Sequence, residues 1–182
     1  MAEAPKVLLG VTGSIAAYKA AELARLMLGK GWDVWVVMTA CATQYVGPLT
    51  FRALTGHPVA HGGFAELEPE TYTHLGLSEG AAAMVVAPCS AQTLARLAHG
   101  FADDVLSCAA LSLRAPLLVA PAMNTRMWEN PAVRDNVATL KRRGATVVGP
   151  GTGELACGDT GAGRLADLGE IARAVGRKIA GR

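Results

Sequence analysis

The chain has 182 residues, of which 51% are hydrophobic and 18% charged, which is enough for one domain with a substantial buried core. Its formal net charge of +2, with KRR at residues 141–143 as the longest basic run, argues against nucleic acid or an anionic membrane as a partner. The four cysteines lie far apart without a CxxC pair, so we expect no metal site and no disulfide framework.

The first residues, MAEAPKVLLGVTG, contain an apolar stretch that glycine interrupts too soon for a signal peptide or a membrane span. We therefore expect a cytoplasmic protein with free thiols. Only 5% of the residues are aromatic, while Ala, Val, Leu and Gly dominate, and this balance is typical of an α/β protein with a parallel sheet.

In chain order, apolar runs rich in β-branched residues alternate with amphipathic helical patterns. Strands are predicted at residues 6–12, 33–39, 82–88, 116–122 and 145–150, and helices at 15–31, 49–56, 90–100, 131–144 and 168–180. Right-handed crossovers then predict a doubly wound α/β fold of the flavodoxin or Rossmann type, with a mostly parallel sheet and helices on both faces. No linker interrupts the pattern, so residues 1–182 are expected to form a single domain.

Ligands of doubly wound sheets bind at the carboxyl ends of the strands, so the residues directly after each strand are the most informative. After the first strand, GVTGSIAAYK opens a helix with Gly13 and Ser14, where backbone N–H groups and the positive helix end favour a phosphate. The motif is not GxGxxG, and Ser14 serves equally well as a helix cap without a ligand, so both interpretations stay open.

The junction APCSAQT repeats this arrangement after a later strand, which Pro88 is expected to stop. Ser90, Gln92 and Thr93 supply side-chain donors and acceptors where the next helix begins. Two polar helix starts on one sheet edge suit a ligand with a phosphate and a polar ring, although Ser-Ala-Gln-Thr alone is more often an ordinary cap.

A third junction, PAMNTRMWENPA, places Asn124 directly after a strand, with Met127 and Trp128 close by. The asparagine amide either holds a carboxylate through its N–H donors or caps the turn into a helix. In TYTHLGLSEGA, His74 begins a short amphipathic segment and is either an acid/base group or a structural histidine.

Near the C-terminal end, LACGDTGAGR sets Cys157 among the glycines Gly153, Gly158, Gly161 and Gly163. Glycine adopts unusual φ values at little cost, so residues 151–164 are predicted to form a mobile flap that brings the thiol to a substrate. The alternative is a surface loop with an incidental thiol.

The sequence resembles the phosphopantothenoylcysteine decarboxylases, which belong to the homo-oligomeric flavin-containing cysteine decarboxylases. The resemblance covers residues 6–164 and rests, in order, on GSIAAYK, MTACA, PLTFRALTG, the histidine segment, APCSAQT, FADDVLS, PAMNTRMWENPA and LACGDTGAGR. It implies FMN as cofactor and the decarboxylation of 4'-phosphopantothenoylcysteine to 4'-phosphopantetheine in coenzyme A biosynthesis. In that reaction the CH2–SH group is oxidised to a thioaldehyde, the electrons left by CO2 flow onto sulfur as an enethiolate, and reduced flavin returns the hydride.

The resemblance also implies roles for individual residues. His74 matches the active-site histidine, Asn124 the asparagine that binds the substrate carboxylate, and Cys157 the cysteine that protonates the enethiolate. Ala156 and Met127 are expected to contact the substrate. The FMN contacts that the family implies are Gly13, Ser14, Ile15, Thr39, Ser90, Ala91, Gln92, Thr93 and Ala122.

Two features depart from the family pattern. The family usually has Pro-Ala-Ser-Ala-Asn-Thr, whereas this chain has Cys89 and Gln92 in PCSAQT, and the longer glutamine is expected to alter the FMN contact. Many bacterial relatives continue into a phosphopantothenoylcysteine synthetase domain, whereas this sequence stops at Arg182. We therefore expect either a monofunctional enzyme or an excised N-terminal domain, with the synthetase as a separate or a fused partner. Relatives bind FMN between the subunits of a homotrimer or homododecamer, and the resemblance implies such an assembly.

Three other readings share parts of this pattern. A peptidyl-cysteine decarboxylase of lantibiotic maturation shares the histidine and Pro-x-Met-Asn but lacks Leu-Ala-Cys-Gly. A flavin prenyltransferase is not expected to combine PAMNTRMW with LACG. A non-catalytic FMN-binding regulatory relative tends to carry acidic extensions, which this sequence lacks. Cys157 is therefore the residue that distinguishes a phosphopantothenoylcysteine decarboxylase from a peptidyl-cysteine decarboxylase.

Overall fold

A computed structural model describes residues 3–62, 74–155, 158 and 160–181, with only the backbone at residues 74 and 75. A parallel sheet of six strands forms its centre, in the order β3-β2-β1-β4-β5-β6. The strands are β1 (Lys6–Val11), β2 (Asp33–Met38), β3 (Ala60–His61), β4 (Ala83–Cys89), β5 (Leu117–Pro121) and β6 (Thr146–Val147). The order reverses between β1 and β4, which creates the switch point at which doubly wound sheets bind ligands.

Helices cover both faces of the sheet, which confirms the predicted fold class. They are α1 (Lys19–Leu28), preceded by a 3-10 turn (Ile15–Tyr18), α2 (Pro48–Thr55), α3 (His74–Ser78), α4 (Ala91–His99), α5 (Val105–Leu111), α6 (Thr125–Glu129), α7 (Pro131–Arg142) and α8 (Leu168–Ala180). A second 3-10 turn (Ala42–Gln44) follows β2. Within the described residues, none of the helices is long and apolar enough to cross a membrane.

Alternation along β1 divides the core into two layers. Val7, Leu9 and Val11 belong to a cluster that also takes in buried residues of α1, α2 and α8. Leu8 belongs to the opposite cluster, with buried residues of α4, α5 and α7. Successive side chains of a strand point to opposite faces, so a continuous apolar run is what a strand buried on both faces requires.

The strand before α4 does not stop at Pro88, contrary to the sequence-based expectation. Strand β4 continues to Cys89, with a register shift against β5 between Val86 and Cys89. Proline has no backbone N–H to donate to the ladder, and the irregular register removes the need for one at that position.

The predicted glycine-rich flap is a β-hairpin in its described part. Strand β7 (Gly151–Glu154) pairs antiparallel with β8 (Thr160–Arg164), forming a separate two-stranded sheet. Ala156 and Cys157 lie outside the described residues. The structure therefore describes both arms of the flap, while its motion stays a prediction.

At the amino ends of β1 and β2, polar side chains form a cluster around Asp33. One carboxylate oxygen lies 2.6 Å from His57 Nε2, and the other accepts a 2.6 Å hydrogen bond from Trp35 Nε1. The rings of Trp35 and His57 stack, with centroids 4.0 Å apart. Burial acts to raise the pKa of Asp33, but the hydrogen bonds from Trp35 and His57, together with the charges of His57 and Lys6, lower it below its ordinary value.

We expect Asp33→Asn to lower the free energy of unfolding at about pH 7. The loss should not exceed about 1 kcal/mol, because the carboxylate is partly exposed. The folded pKa is depressed, so the contribution exists above the unfolded pKa of about 3.9 and is lost as pH falls through the folded value. Urea unfolding of both proteins across this range measures the effect. A stability difference that stayed constant down to about pH 3 would contradict this assignment.

Candidate functional site

A cavity of about 650 Å³ lies at the carboxyl ends of the central strands. Four segments line it: the turn after β1, the start of α4, the segment between β5 and α6, and the two arms of the hairpin. This volume is in the range of small-molecule and cofactor sites, about 300–1,000 Å³. The switch point of the sheet therefore holds a cavity of the size that a cofactor and part of a substrate need.

The first wall is the helix start after β1. Ser14 is the N-cap, and its hydroxyl accepts a 3.3 Å hydrogen bond from the Ala16 N–H. Capping satisfies one donor, and the first turn of a helix has further N–H groups without intrahelical partners. A Cβ at Gly13 would overlap the Cys41 side chain, so glycine is required there for close packing. The capping role of Ser14 is thus present and compatible with anion binding.

The second wall is the start of α4, which Ser90 caps. Its Oγ accepts a hydrogen bond of 3.3 Å from the Thr93 N–H and donates one of 3.1 Å to Thr93 Oγ1. Ser90 and Ala91 line the cavity, whereas Gln92 is exposed and Thr93 is buried within the helix. In the predicted Ser-Ala-Gln-Thr motif, the first two residues therefore line the cavity, and the last residue takes part in the hydrogen bonds that cap α4.

A buried hydroxyl, Thr12, joins these two walls. Thr12 Oγ1 donates to the Pro88 carbonyl over 2.8 Å and accepts from the Ser90 N–H over 2.9 Å. The side chain is fully buried. One threonine thus links the end of β1 to the end of β4 and to the cap of α4. Sequence analysis missed this role, and the only signal was a polar residue directly after the apolar run of β1.

The third wall is the segment between β5 and α6. Asn124 is the N-cap of α6, and its Oδ1 accepts a 2.8 Å hydrogen bond from the Arg126 N–H. This bond assigns the amide orientation, because the capping atom must be the acceptor. Asn124, Ala122 and Met127 all line the cavity. The amide group is thus held in a defined orientation at the cavity wall.

The hairpin forms the fourth wall and packs on the segment that holds Asn124. The Met123 N–H donates to the Gly163 carbonyl over 2.9 Å. A Cβ at Gly163 would overlap the Met123 carbonyl, and one at Gly161 would overlap Thr125 Oγ1. Among the described residues, Thr125 Oγ1 is a buried polar atom without a hydrogen-bond partner. Glycines on the inner side of β8 therefore allow direct backbone contact between the two segments.

Several predicted site residues meet at the cavity. Those lining it are Gly13, Ser14, Ile15, Ser90, Ala91, Ala122, Asn124 and Met127. Thr39 is buried, and its hydroxyl accepts from the Ala42 N–H at 3.2 Å. Thr39, Gln92 and Thr93 do not line the cavity of the single chain, so their cofactor contacts stay predictions.

The predicted catalytic residues lie where little is described. His74 is the first residue of α3, and only its backbone is described. Ala156 and Cys157 fall outside the described residues. Among the described residues, those of α3 do not line the cavity.

Charged side chains at the cavity were not identified from the sequence. Lys19 and Arg164 line it together with one acidic residue, Glu154. The described lining thus has an excess of positive charge, which favours an anionic ligand. Within the described part of the chain, no group of three or more His, Cys, Asp or Glu side chains could hold a metal ion.

The described thiols differ in their environments. Burial raises the pKa of Cys89, which has no exposed surface. Burial, with the charges of Asp104 and Asp103, also raises the pKa of Cys108, whose sulfur donates to the Ala102 carbonyl. Both shifts stabilise the neutral thiol, so neither group is suited to exchange a proton near neutral pH.

Sequence comparison identifies relatives along the whole chain. A family model described as flavoprotein matches residues 1–180. The chain is 44% identical over 176 residues to a probable phosphopantothenoylcysteine decarboxylase of Streptococcus mutans, covering 96% of this chain and 98% of that protein. It is 48% identical over 166 residues to the coenzyme A biosynthesis bifunctional protein CoaBC of Mycobacterium tuberculosis, covering 91% of this chain but 39% of that protein.

Solved structures share the fold. One is a cysteine-to-serine mutant of a PPC decarboxylase complexed with pantothenoylaminoethenethiol, with a TM-score of 0.82, 31% identity, and coverage of 96% of this chain and 97% of that chain. Another is the FMN-dependent cysteine decarboxylase SpaF, with a TM-score of 0.82, 31% identity, and coverage of 97% and 98%. Both similarities cover nearly the whole of each chain.

We expect Thr12→Val to destabilise the protein by about 1–3 kcal/mol, because it leaves the partly buried Ser90 N–H without its acceptor and the Pro88 carbonyl without its donor. Chemical denaturation at fixed pH measures the change. Thr43→Val is the matched control, since that hydroxyl donates to the Ala40 carbonyl at the surface. Its effect should stay within about 0.5 kcal/mol. Equal losses of unfolding free energy in the two variants would show that the two hydrogen bonds of Thr12 contribute no more to stability than the surface hydrogen bond of Thr43.

Proposed function

Because the chain belongs to the flavoprotein family, we propose that it catalyses the FMN-dependent decarboxylation of 4'-phosphopantothenoylcysteine to 4'-phosphopantetheine, a step of coenzyme A biosynthesis. The observation that carries this proposal is the wall of the cavity built by Ala122, Asn124 and Met127, directly after β5. It supplies an oriented amide at the place where the substrate carboxylate would be held. The identity of 44% to a probable phosphopantothenoylcysteine decarboxylase over nearly the whole of both chains supports the same substrate.

The residues present fit an FMN molecule. The capped helix starts at Ser14 and Ser90 offer backbone N–H groups and positive helix ends for a phosphate or a polar ring edge. The cavity surface between them is mostly apolar, which suits a flat aromatic ring. Gly13, Ser14, Ile15, Ser90, Ala91 and Ala122 would hold the cofactor. Bound FMN would supply the electron acceptor for oxidation of the substrate CH2–SH carbon and would return those electrons after CO2 has left.

The substrate carries two anionic groups, and the cavity has a partner for each. The amide nitrogen of Asn124 donates to the carboxylate without adding a charge, which leaves the carboxylate free to depart as CO2. Lys19 and Arg164 attract the phosphate and outweigh the single negative charge of Glu154. Met127 and Ala156 contribute apolar contact to the cysteine part of the substrate. Both substrates present a carboxylate to the amide, so the attraction of Lys19 and Arg164 for the phosphate is what favours the phosphorylated acid over a peptide with a C-terminal cysteine.

Two side chains are proposed to move protons. His74 takes the proton released in the oxidation step, because imidazole titrates near neutral pH. Cys157 donates a proton to the enethiolate carbon after decarboxylation. Thiols have an ordinary pKa of about 8.5, close enough to neutrality for this transfer.

The assembly and the surroundings of the enzyme are further parts of the proposal. Ile15, Tyr18 and Met127 line the cavity and are 62%, 62% and 48% exposed in the single chain. Apolar side chains exposed at a site are typical of a surface that another molecule covers. We propose a homotrimer or homododecamer with FMN held between subunits, located in the cytoplasm. A phosphopantothenoylcysteine synthetase, fused or separate, would supply its substrate.

We expect the purified protein to bind FMN and to release CO2 and 4'-phosphopantetheine in equal amounts from 4'-phosphopantothenoylcysteine. Flavin absorbance after reconstitution measures the first property, and mass spectrometry of the product measures the second. A peptide with a C-terminal cysteine is the competing substrate. Faster decarboxylation of that peptide would transfer the assignment to the peptidyl-cysteine decarboxylases, and the absence of flavin binding would refute both.

We expect Cys157→Ser to release CO2 while the enethiol accumulates, because serine is too weak an acid to replace the thiol. Loss of a general acid typically slows its step by about 100-fold or more. Cys108→Ser is the matched control, since a hydroxyl keeps the hydrogen bond to the Ala102 carbonyl. Normal formation of 4'-phosphopantetheine by the Cys157 variant would exclude the cysteine as proton donor.

A further inference from the structure

Helix α3, which begins at His74, has only five residues. A single helical turn is unstable in isolation, because fixing its backbone dihedral angles costs more free energy than its few hydrogen bonds provide. Its position must therefore come from tertiary contacts. Leu77 is buried, and Ser78 Oγ lies 2.8 Å from Ser112 Oγ, next to the end of α5. These contacts fix one side of the helix.

The carboxyl end of α3 is held by a lysine that lies far away in sequence. Lys6 Nζ donates to the Gly76 carbonyl over 2.9 Å and to the Glu79 carbonyl over 3.0 Å, across 70 and 73 residues. Carbonyl groups in the last turn of a helix lack intrahelical donors, and a positive charge at that end interacts favourably with the helix dipole. Lys6 therefore acts as a side-chain cap for α3, supplied from the first residue of β1.

The Lys6 side chain is itself held in place by β2. Its ammonium lies 5.0 Å from the centroid of the Trp35 ring, within the range of a cation–π contact. The Trp35 ring is fixed by its hydrogen bond to Asp33 and by stacking on His57. Burial lowers the pKa of Lys6, and the charges of Asp33 and Glu79 oppose that shift. The ammonium has thus exchanged part of its hydration for the two carbonyls, the ring and the nearby carboxylates.

We propose that Lys6 is a positioning residue for catalysis: by capping the carboxyl end of α3, it fixes the backbone from which the His74 imidazole projects. The inference rests on the catalytic role proposed for His74. Leu77 and Ser78 attach the helix to its neighbours, and Lys6 ties its end to the central strand of the sheet. Loss of the lysine leaves the sheet intact but allows α3 to shift or fray.

The test compares Lys6→Met and Lys6→Arg in the FMN-bound protein. Methionine keeps the apolar contact with Trp35 and removes the donor, whereas arginine keeps both charge and donors. In Lys6→Met we expect amide exchange in residues 76–81 to rise at least about 10-fold, with β1 and β4 unchanged. We expect kcat to fall at least about 10-fold with KM and FMN affinity within about twofold, and Lys6→Arg to recover most of the rate.

The matched control is Lys30→Met. Lys30 also lies over a tryptophan ring, 5.9 Å from the Trp32 centroid, but at the surface. It should change neither amide exchange in α3 nor kcat. Lys6→Leu, which also lacks a hydrogen-bond donor, provides a second variant if Lys6→Met fails to fold.

The outcomes separate the inference from the proposed function. A folded Lys6→Met or Lys6→Leu protein with unchanged amide exchange in α3 would overturn the cap. Faster exchange with unchanged kcat would overturn the positioning role, and so would a parallel loss of FMN affinity and kcat with no recovery in Lys6→Arg. A wild-type protein that binds FMN but releases no CO2 would refute the decarboxylase assignment and the catalytic part of the inference, while the exchange measurement would still decide whether Lys6 caps α3.

Discussion

The site depends on one buried hydroxyl at the switch point of the sheet. Thr12 donates to the Pro88 carbonyl and accepts from the Ser90 N–H, so it joins two strands that the chain reaches 76 residues apart. Hydrogen bonds in a low-dielectric interior are strong, and leaving one of their partners unpaired is costly. The two capped helix starts are therefore held at a constant separation. The cavity between them has a defined width before any ligand binds.

The two sides of the sheet, at the carboxyl ends and at the amino ends of its strands, differ in function. At the carboxyl edge, glycines and capping residues leave backbone groups accessible around an apolar cavity. At the amino edge, Lys6, Asp33, Trp35 and His57 satisfy one another and the end of α3. A parallel sheet makes this division natural, because every crossover returns the chain to the same edge before the next strand. Binding and anchoring are thus separated along the strand direction.

Sequence analysis located the long apolar strands and the amphipathic helices, because burial on both faces of a parallel sheet leaves a continuous apolar signal. It was wrong about Pro88, since a register shift removes the need for the donor that proline lacks. Sequence analysis did not predict the hairpin of β7 and β8, because its glycine-rich strands contain no apolar side chain larger than alanine and so show no alternation of apolar and polar residues. The links of Thr12 and Lys6 join residues that are distant along the chain, and no local pattern records them.

Some residues at the cavity could be predicted from the sequence, and others could not. Asn124 and Ser14 follow apolar strands directly, so fold class and position placed them at the cavity before any contact was known. Lys19 and Arg164 belong to two segments that the sequence analysis singled out, GSIAAYK and LACGDTGAGR, but it assigned their charges no role. Only packing brings these two charges to one cavity. The capping bonds of Ser14, Ser90 and Asn124 show that these side chains have structural work irrespective of a ligand.

The glycines of β8 make the hairpin and the segment after β5 depend on each other's sequence. Gly161 and Gly163 leave no room for a side chain against Thr125 and Met123, so the two surfaces match atom by atom at the level of the backbone. A hairpin grafted from a relative would seat only if its inner glycines fell in the same register, or if the segment that it covers were transferred with it. Exchange of this hairpin between members of the fold therefore requires moving two stretches of chain together.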